Sequence, residues 1–273
     1  MDRQSRYDVE RAKWNAHAHH VAARELGPED MVPEDRTFEK WAAGRPSVGG
    51  MVDFLGDLRD RRILEYGCGL GELSVVLARS GARVTTFDLS EASVDFARRR
   101  AEMNGVADRI EFHVASGEEL PFGDGAFELA VGKAILHHLD PVAGARELAR
   151  ILAPGGRATF SEPLGTNPLL VFARAHLPYP EKNERGADRP LTRADIAAWR
   201  EPFAEFRLRP VQLLSMVERA LGFGRQVSIL RRADDALLAR VPALWRLCRY
   251  AVLFMGKAPA QSAARFEQSG EVA

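Results

Sequence analysis

The segment ILEYGCGLGE at residues 63–72, followed by VTTFD at residues 84–88, decides the fold of this chain. The first segment predicts a buried strand that stops in a glycine turn, and the second predicts another strand that ends in Asp88. Glycine lets the backbone pass close to a ligand, and an acid that ends the next strand can accept hydrogen bonds from both hydroxyls of a ribose. The two segments together therefore predict a nucleoside-binding site.

The spacing of the glycines indicates which nucleoside is bound. A dinucleotide site has the pattern G-x-G-x-x-G, but here Glu72 stands in place of the third glycine and Glu65 stands two residues before the first. The Glu65 carboxylate would repel a pyrophosphate, whereas it would attract the amino group of an amino acid. The observed pattern, E-x-G-x-G-x-G, therefore favours S-adenosylmethionine (SAM) over a nicotinamide dinucleotide.

Further segments follow in the order expected of one family. Residues 109–115 predict a third strand, and the later segments are SGEELPF at 116–122, FELAVG at 127–132, LHHLD at 136–140 and LAPGG at 152–156. Together with the glycine turn, these segments resemble the class I SAM-dependent methyltransferases, and among them the bacterial quinone-biosynthesis group. The resemblance covers about residues 60–163. Ser116 departs from the family pattern D-A-E-x-L-P-F, and its hydroxyl brings no charge to the adenine amino group.

Strand and helix patterns alternate along the chain and predict an α/β fold with a Rossmann-like, doubly wound sheet. The resemblance implies seven strands with helices on both faces. We expect an N-terminal helical lid at residues 1–50 and a SAM-binding core at 51–163. Residues 164–256 are expected to supply a substrate cap and the remaining strands, with strand six at 206–214, a helical insertion to about Cys248 and a last antiparallel strand at 250–255. A disordered tail is expected at 257–273.

The resemblance implies SAM as cofactor and S-adenosylhomocysteine as product, bound where the strands reach their carboxyl ends. Lys133 directly follows the fourth strand, where it could meet the methionine carboxylate or an acidic substrate, or simply be solvated. The residues expected to bind the cofactor are Glu65, Gly67, Cys68, Gly69, Gly71, Asp88, Leu89, Ser116, Gly117, Glu118 and Lys133.

Methyl transfer from a sulfonium is an in-line displacement, so the protein must chiefly align the two reactants and exclude water. A general base adds about 10² to 10⁴ in rate where the acceptor must lose a proton. The candidates are His138, His137 and Glu162. Adjacent side chains diverge, so we expect at most one histidine to face the substrate and favour His138, with a structural imidazole as the alternative. Glu162 either orients the substrate or bonds a loop.

Composition limits the partners. The chain carries 38 basic and 38 acidic residues among 273, which argues against nucleic acid as a partner. No apolar run reaches the roughly 20 residues of a transmembrane helix. Residues 237–255 combine apolar side chains at helical spacing with several arginines, so they either contact a membrane surface or pack against the sheet. Two cysteines, Cys68 and Cys248, favour a reducing cytoplasm.

The histidines near the N-terminus invite a metal hypothesis, but no metal is expected. His17 and His20 share a helix face, and no cysteine or carboxylate stands beside them at ligand spacing. We expect this run, which also contains His19, to be lid or surface. The oligomeric state stays open.

The cap favours a small, hydrophobic acceptor, either a secondary metabolite or a lipid-like molecule, because residues 169–172 read LLVF and the C-terminal segment is aromatic. A SAM-binding protein that catalyses a cyclisation or rearrangement without methylating is the first alternative. A degenerate regulatory module is the second, and the intact glycines and Asp88 argue against it.

Overall fold

The computed structural model describes residues 3–22, 26–43, 45–176, 189–217 and 228–260. Its centre is a seven-stranded sheet whose strands are β1 (Arg62–Tyr66), β2 (Arg83–Asp88), β3 (Ile110–Val114), β4 (Phe127–Lys133), β5 (Leu152–Pro163), β6 (Glu205–Val211) and β7 (Tyr250–Gly256). Their order is β3-β2-β1-β4-β5-β7-β6. Strands β1 to β5 pair in parallel, and β7 pairs antiparallel with both β5 and β6. The predicted doubly wound sheet is confirmed, and its order reverses between β1 and β4.

Helices pack on both faces of this sheet. They are α1 (Arg3–Ala22), α2 (Phe38–Ala42), α3 (Met51–Leu55), α4 (Glu72–Arg79), α5 (Glu91–Met103), α6 (Pro141–Ile151), α7 (Pro168–His176), α8 (Arg193–Arg200) and α9 (Ser228–Arg240). One core contains Trp41, Phe54 and Val76, and the other contains Leu148 and Trp199. Successive residues of β1 alternate between the two cores, as a strand buried on both faces requires.

Side-chain caps begin several of these helices, among them α5 and α8. The Ser90 hydroxyl accepts a hydrogen bond from the backbone N–H of Ser93 at the start of α5. The Thr192 hydroxyl accepts one from the N–H of Asp195 at the start of α8, and the Asp195 carboxylate accepts from the N–H of Thr192 in return. Such caps satisfy backbone donors that the first turn of a helix leaves without a partner.

Strand six ends earlier than the sequence predicts. Gln212 has a positive φ of 63°, which turns the chain out of the extended conformation after Val211. The next residues donate their backbone N–H groups to the carboxylate of Asp234 on α9, at 3.1 Å from Leu213 and 2.6 Å from Leu214. A side chain distant in sequence therefore ends this strand.

The segment 237–255 is not one helix, although its apolar residues recur at helical spacing. Helix α9 ends at Arg240, Pro242–Leu247 forms a short 3₁₀ helix, and β7 begins at Tyr250. Proline cannot continue a helix, and here it follows the last turn of α9. Trp245 and Cys248 pack against the core, which favours the packing alternative over membrane contact. Among the described residues, no helix has the length and apolarity needed to cross a membrane.

The predicted disorder does not begin at Lys257. Its backbone N–H donates to the carbonyl of Gly156 at 2.9 Å, and its ammonium donates to the carbonyl of Leu152 at 2.6 Å. These bonds hold the chain against β5, so the prediction is wrong for Lys257. Residues 261–273 of the predicted tail lie outside the described residues.

Candidate cofactor and acceptor site

A cavity of about 280 Å³ opens at the carboxyl ends of β1, β2 and β4, where the strand order reverses. Open α/β sheets bind ligands at this place. The cavity brings together most of the predicted cofactor residues, namely Gly67, Gly69, Asp88, Leu89, Ser116, Gly117 and Lys133, and with them the predicted base His138. Glu65, Cys68, Gly71, Glu118, His137 and Glu162 do not line it.

The glycines of the turn at residues 67–71 have two different roles, one in ligand binding and one in helix packing. A Cβ on Gly69 would meet no atom within 4 Å, so open space lies beside that backbone. A Cβ on Gly71 would lie 2.8 Å from the Cα of Ala97 on α5, so Gly71 is required for helix packing. Gly69 is therefore the glycine that leaves room for a ligand, and this open cradle fits the predicted cofactor.

Asp88 links the two strands that define the site. Its Oδ2 accepts a hydrogen bond from the N–H of Gly69 at 3.0 Å, and its Oδ1 accepts one from the N–H of Ser90 at 3.0 Å. Each carboxylate oxygen retains a second acceptor position for a ligand hydroxyl. Desolvation raises the pKa of Asp88 despite these backbone donors. Hydroxyl donors of a ribose would offset part of this desolvation, which fits the predicted role.

Glu65 does not meet the cavity, contrary to its predicted contact with the ligand amino group. Its side chain is buried, and its Oε2 accepts a hydrogen bond from the Ser74 hydroxyl on α4. Burial raises the pKa of Glu65 to about 8, so the group is mainly protonated at neutral pH. The face of β1 on which Glu65 lies points into the core under α4, and this placement explains the difference.

Cys68 is likewise a core residue. It is buried with Val94 and Ala97 of α5, and its backbone N–H donates to the carbonyl of Phe87 at 2.9 Å. Burial raises the pKa of its thiol well above the usual range. A protonated, buried thiol offers the ligand neither charge nor a nucleophile.

The predicted adenine loop, residues 116–122, contributes Ser116 and Gly117 to the cavity. Glu118 is buried and holds the loop in place instead. Its Oε1 accepts from the N–H of Asp140 at 2.7 Å, and its Oε2 accepts from the hydroxyl of Tyr7 at 3.0 Å. Glu118 thus joins three elements of the site without lining it.

The loop after β4, residues 134–140, is organised by Glu162 at the end of β5. The carboxylate of Glu162 is buried, and its Oε1 accepts from the N–H groups of Ile135 and Leu136 at 2.8 and 3.0 Å. Its Oε2 lies 2.8 Å from Nδ1 of His137, whose side chain is also buried. This arrangement matches the predicted alternative in which Glu162 bonds a loop, and it withdraws His137 and Glu162 from contact with a substrate.

His138 lines the cavity and meets helix α1. Its Nδ1 lies 3.5 Å from Oε2 of Glu10, and its ring meets the ring of Trp14 edge to face, with centroids 5.4 Å apart. Burial alone would raise the pKa of Glu10, but the hydrogen bond and charge of His138 outweigh it and lower this pKa. The two histidines of the loop therefore have different partners.

Helix α1 covers the cavity, as expected of a lid. Tyr7, Glu10 and Trp14 line it, and the Ser90 hydroxyl donates to Oδ1 of Asn15 at 2.6 Å. The lid was predicted from the polar, helix-prone N-terminus, but these individual residues were missed. Their spacing of three and then four residues places them on one helix face, a signal that could have identified them.

The histidines that invite a metal hypothesis belong to the same helix. The side chains of His17, His19 and His20 lie outside those that the structure describes. Among the described residues, no group of three or more histidines, cysteines or acids is placed to hold a metal ion.

Comparison with known proteins agrees with this geometry. Residues 64–160 match the family model of the methyltransferase domain. A demethylmenaquinone methyltransferase of Clavibacter sepedonicus is 36% identical over 116 residues, which are 42% of this chain and 46% of that protein. The chain spans about half the length of this protein and of other curated relatives that it matches.

Solved structures share the fold over almost the whole chain. The geranyl diphosphate C-methyltransferase of Streptomyces coelicolor A3(2) has a TM-score of 0.56 and 18% identity, over 93% of this chain and 98% of that one. The (4+2)-cyclase SpnF has a TM-score of 0.57 and 17% identity, over 93% and 97%. At these identities the likeness establishes the fold and leaves the reaction to be argued from the site.

Proposed function

We propose that this chain, which carries a domain of the class I SAM-dependent methyltransferase family at residues 64–160, transfers a methyl group from SAM to a small, hydrophobic acceptor. One observation carries the proposal. A single cavity joins the open glycine cradle and Asp88 to His138 and the apolar side chains beneath α1. A cofactor and an acceptor bound in one cavity can be aligned for direct transfer.

The cofactor end of the cavity offers a partner for each part of SAM. Asp88 would accept hydrogen bonds from the two ribose hydroxyls, and Ser116 and Gly117 would border the adenine. The open backbone at Gly69 leaves room for the methionine tail of SAM. Lys133 lines the same cavity and would pair with the carboxylate of that tail. When bound there, SAM supplies an electrophilic methyl group. S-adenosylhomocysteine is the product that remains.

The chain's own residues perform the rest of the catalysis. Helix α1 excludes water by covering the cavity, and Glu162 holds the loop that carries His138. An acceptor hydroxyl, thiol or amine in the cavity can lose its proton to His138. Such base catalysis contributes roughly 10² to 10⁴ in rate.

An apolar acceptor is supported by the residues around His138. Trp14, Ile135 and Leu139 line this end of the cavity. Phe172 and Leu169 of α7, from the predicted apolar cap, do not line this cavity, and they are 60% and 74% exposed. The relative named for demethylmenaquinone and the structural neighbour named for geranyl diphosphate also act on molecules with large apolar parts. We therefore propose a lipid-like or secondary-metabolite acceptor.

Both cysteines are free and buried, which suits a cytoplasmic enzyme.

The test is to incubate the purified protein with methyl-labelled SAM and a host extract, and then to measure label in organic-soluble, aqueous, protein and nucleic-acid fractions. We expect label in the organic fraction from the wild-type protein and much less from the Asp88→Ala variant at the same SAM concentration. Label in protein or nucleic acid would contradict the acceptor class.

SAM binding with no labelled product would favour the alternative of a cyclisation or rearrangement without methyl transfer. Mass analysis identifies that outcome, because the product would lack the added methyl group. No SAM binding at all would favour the degenerate regulatory module.

A further inference from the structure

Two side chains of α1 meet His138 at the same point. Trp14 Nε1 donates a hydrogen bond to Oε2 of Glu10 at 2.9 Å, and this oxygen lies 3.5 Å from Nδ1 of His138. The Trp14 and His138 rings stand almost perpendicular, at 88°. The side chains of Glu10 and His138 are only 16% and 11% exposed, so solvent screens their interaction weakly. Trp14 therefore fixes the carboxylate that faces His138.

A carboxylate beside one ring nitrogen determines where a neutral imidazole keeps its proton. Neutral histidine carries one N–H, and the nitrogen nearer to an acceptor retains it. Glu10 is such an acceptor for Nδ1 of His138, which leaves Nε2 with a lone pair. The separation of 3.5 Å is long, but hydrogen bonds of catalytic groups often shorten only once the ligands are bound.

We propose that Glu10 is a positioning residue that completes a proton-accepting pair with His138 only while α1 is docked over the cavity. The inference rests on the proposed methyl transfer. In that reaction the acceptor's proton passes to Nε2 of His138, and the electron pair it leaves forms the new bond to the methyl carbon. The pair of the broken carbon–sulfur bond stays on sulfur. Glu10 remains ionised and balances the imidazolium charge.

Comparison of His138 with the neighbouring His137 shows which of the two histidine–carboxylate contacts depends on the lid, α1. His137 is paired with Glu162, and both belong to the core of the domain, so their contact does not depend on α1. His138 lies against His137 with ring centroids 4.0 Å apart, but its carboxylate comes from α1. An open lid would therefore keep the loop in place and remove only the partner of His138. Proton acceptance is thereby coupled to closure.

Several titratable and charged groups surround His138. Glu10 faces it from α1 and His137 from its own loop, and Asp88 interacts with it across the cavity. Lys13 acts on Glu10, and Lys133 lines the same cavity. Glu10 is the carboxylate nearest to His138 among these groups, so its removal takes away the charge that would balance an imidazolium.

The first experiment measures the tautomer of His138 by ¹⁵N NMR of the imidazole in the full-length protein, without added SAM. His138→Gln serves only to assign the signal. We expect wild type to carry its neutral proton on Nδ1, Glu10→Ala to lose this preference, and Glu10→Gln to retain part of it because its amide oxygen still accepts from Nδ1. Asp8→Asn, which removes an exposed acid from the same helix, is the control and should match wild type.

An unchanged tautomer in Glu10→Ala, or the same change in Asp8→Asn, overturns the proposal. This measurement needs no turnover. The proposal for Glu10 can therefore fail while the proposed methyl transfer is confirmed, and the proposed methyl transfer can fail while the tautomer is as expected.

A second experiment measures kcat and KM of turnover once labelling has identified an acceptor. Glu10→Ala should lower kcat by roughly 10²-fold, the lower range of base catalysis. Glu10→Gln should restore part of the rate. A rise in KM with kcat unchanged would mean that Glu10 only closes the lid, and it would overturn the positioning role. Calorimetry of SAM with each variant shows whether cofactor binding is intact.

Discussion

The Oδ2 atom of Asp88 accepts a hydrogen bond from the backbone N–H of Gly69 at 3.0 Å, across the ends of β2 and β1. This bond joins the two sequence segments that indicate a nucleoside site. It holds the carboxylate beside the one glycine of the turn whose Cβ position is open. The acid therefore serves both to shape the glycine turn and to receive a ligand hydroxyl.

Asp88→Ala should weaken SAM binding strongly. The variant removes two charge-assisted hydrogen bonds to the ribose, each worth about 1.5 to 3 kcal/mol. Affinity should therefore fall by roughly 100-fold or more. Calorimetric titration with SAM measures the change, and Asp95→Ala, at an exposed position on α5, is the matched control. An unchanged dissociation constant in Asp88→Ala would place the ribose elsewhere.

The core of the fold could be predicted from sequence because its signals are local. The mostly apolar run before Gly67 and the acid that ends the second strand identify neighbouring strands by themselves. The end of β6 could not be predicted in this way. It depends on Gln212 and on Asp234, which lies about 20 residues further along the chain and accepts the N–H groups of the turn.

The site was only partly predictable for the same reason. The side on which Glu65 lies depends on how α4 packs over β1, because Ser74 of that helix meets its carboxyl. The choice between His137 and His138 depends on Glu162 and Glu10, one from β5 and one from α1. Spacing in the sequence identifies these side chains as candidates, but tertiary packing assigns their partners.

Alanine substitutions in the glycine turn should separate folding from binding. In Gly71→Ala the new Cβ would lie 2.8 Å from the Cα of Ala97, so helix α5 must shift. The free energy of unfolding should fall by at least about 2 kcal/mol. Gly69→Ala meets open space, and its cost is limited to about 1 kcal/mol for a left-handed φ.

Urea unfolding and SAM titration of both variants check this expectation. Gly69→Ala should stay folded and bind SAM poorly, because its methyl group projects into the cradle. Equal loss of stability in both variants, or full SAM affinity in Gly69→Ala, would contradict the division of roles in the turn.

Glu162→Ala should lower the stability of the protein, because Glu162 holds a loop and does not line the cavity. The buried carboxylate accepts hydrogen bonds from the N–H groups of Ile135 and Leu136 and pairs with His137. Loss of the acceptor leaves these donors unsatisfied at about 1 to 3 kcal/mol each. Glu162→Gln keeps an acceptor oxygen for the two N–H groups and should lose less.

Urea unfolding of the two variants, with Glu102→Ala at an exposed position of α5 as control, measures the difference. A catalytic Glu162 without a loop-holding role would instead give variants with wild-type stability and lost turnover.

Glu65 should make the protein less stable as pH rises from about 5 to 8. Burial raises its pKa in the folded protein from the ordinary value of 4.5 to about 8. Between these values the unfolded chain releases the proton while the folded protein retains it, so the unfolded state binds fewer protons and the free energy of unfolding falls with pH. Below 4.5 both states are protonated, and the stabilisation is fully present. Glu65→Gln cannot ionise and should lose this part of the pH dependence, which is on the order of a few kcal/mol across the window.

Urea unfolding at intervals from pH 5 to 8 gives the slopes for wild type, Glu65→Gln and the exposed control Glu102→Gln. Only Glu65→Gln should show a flatter slope than wild type, and its advantage should grow toward pH 8. Parallel slopes for all three proteins would mean that the Glu65 carboxyl is ionised in the folded state. It would then be able to attract a cationic ligand group, as its position before the glycine turn first predicts.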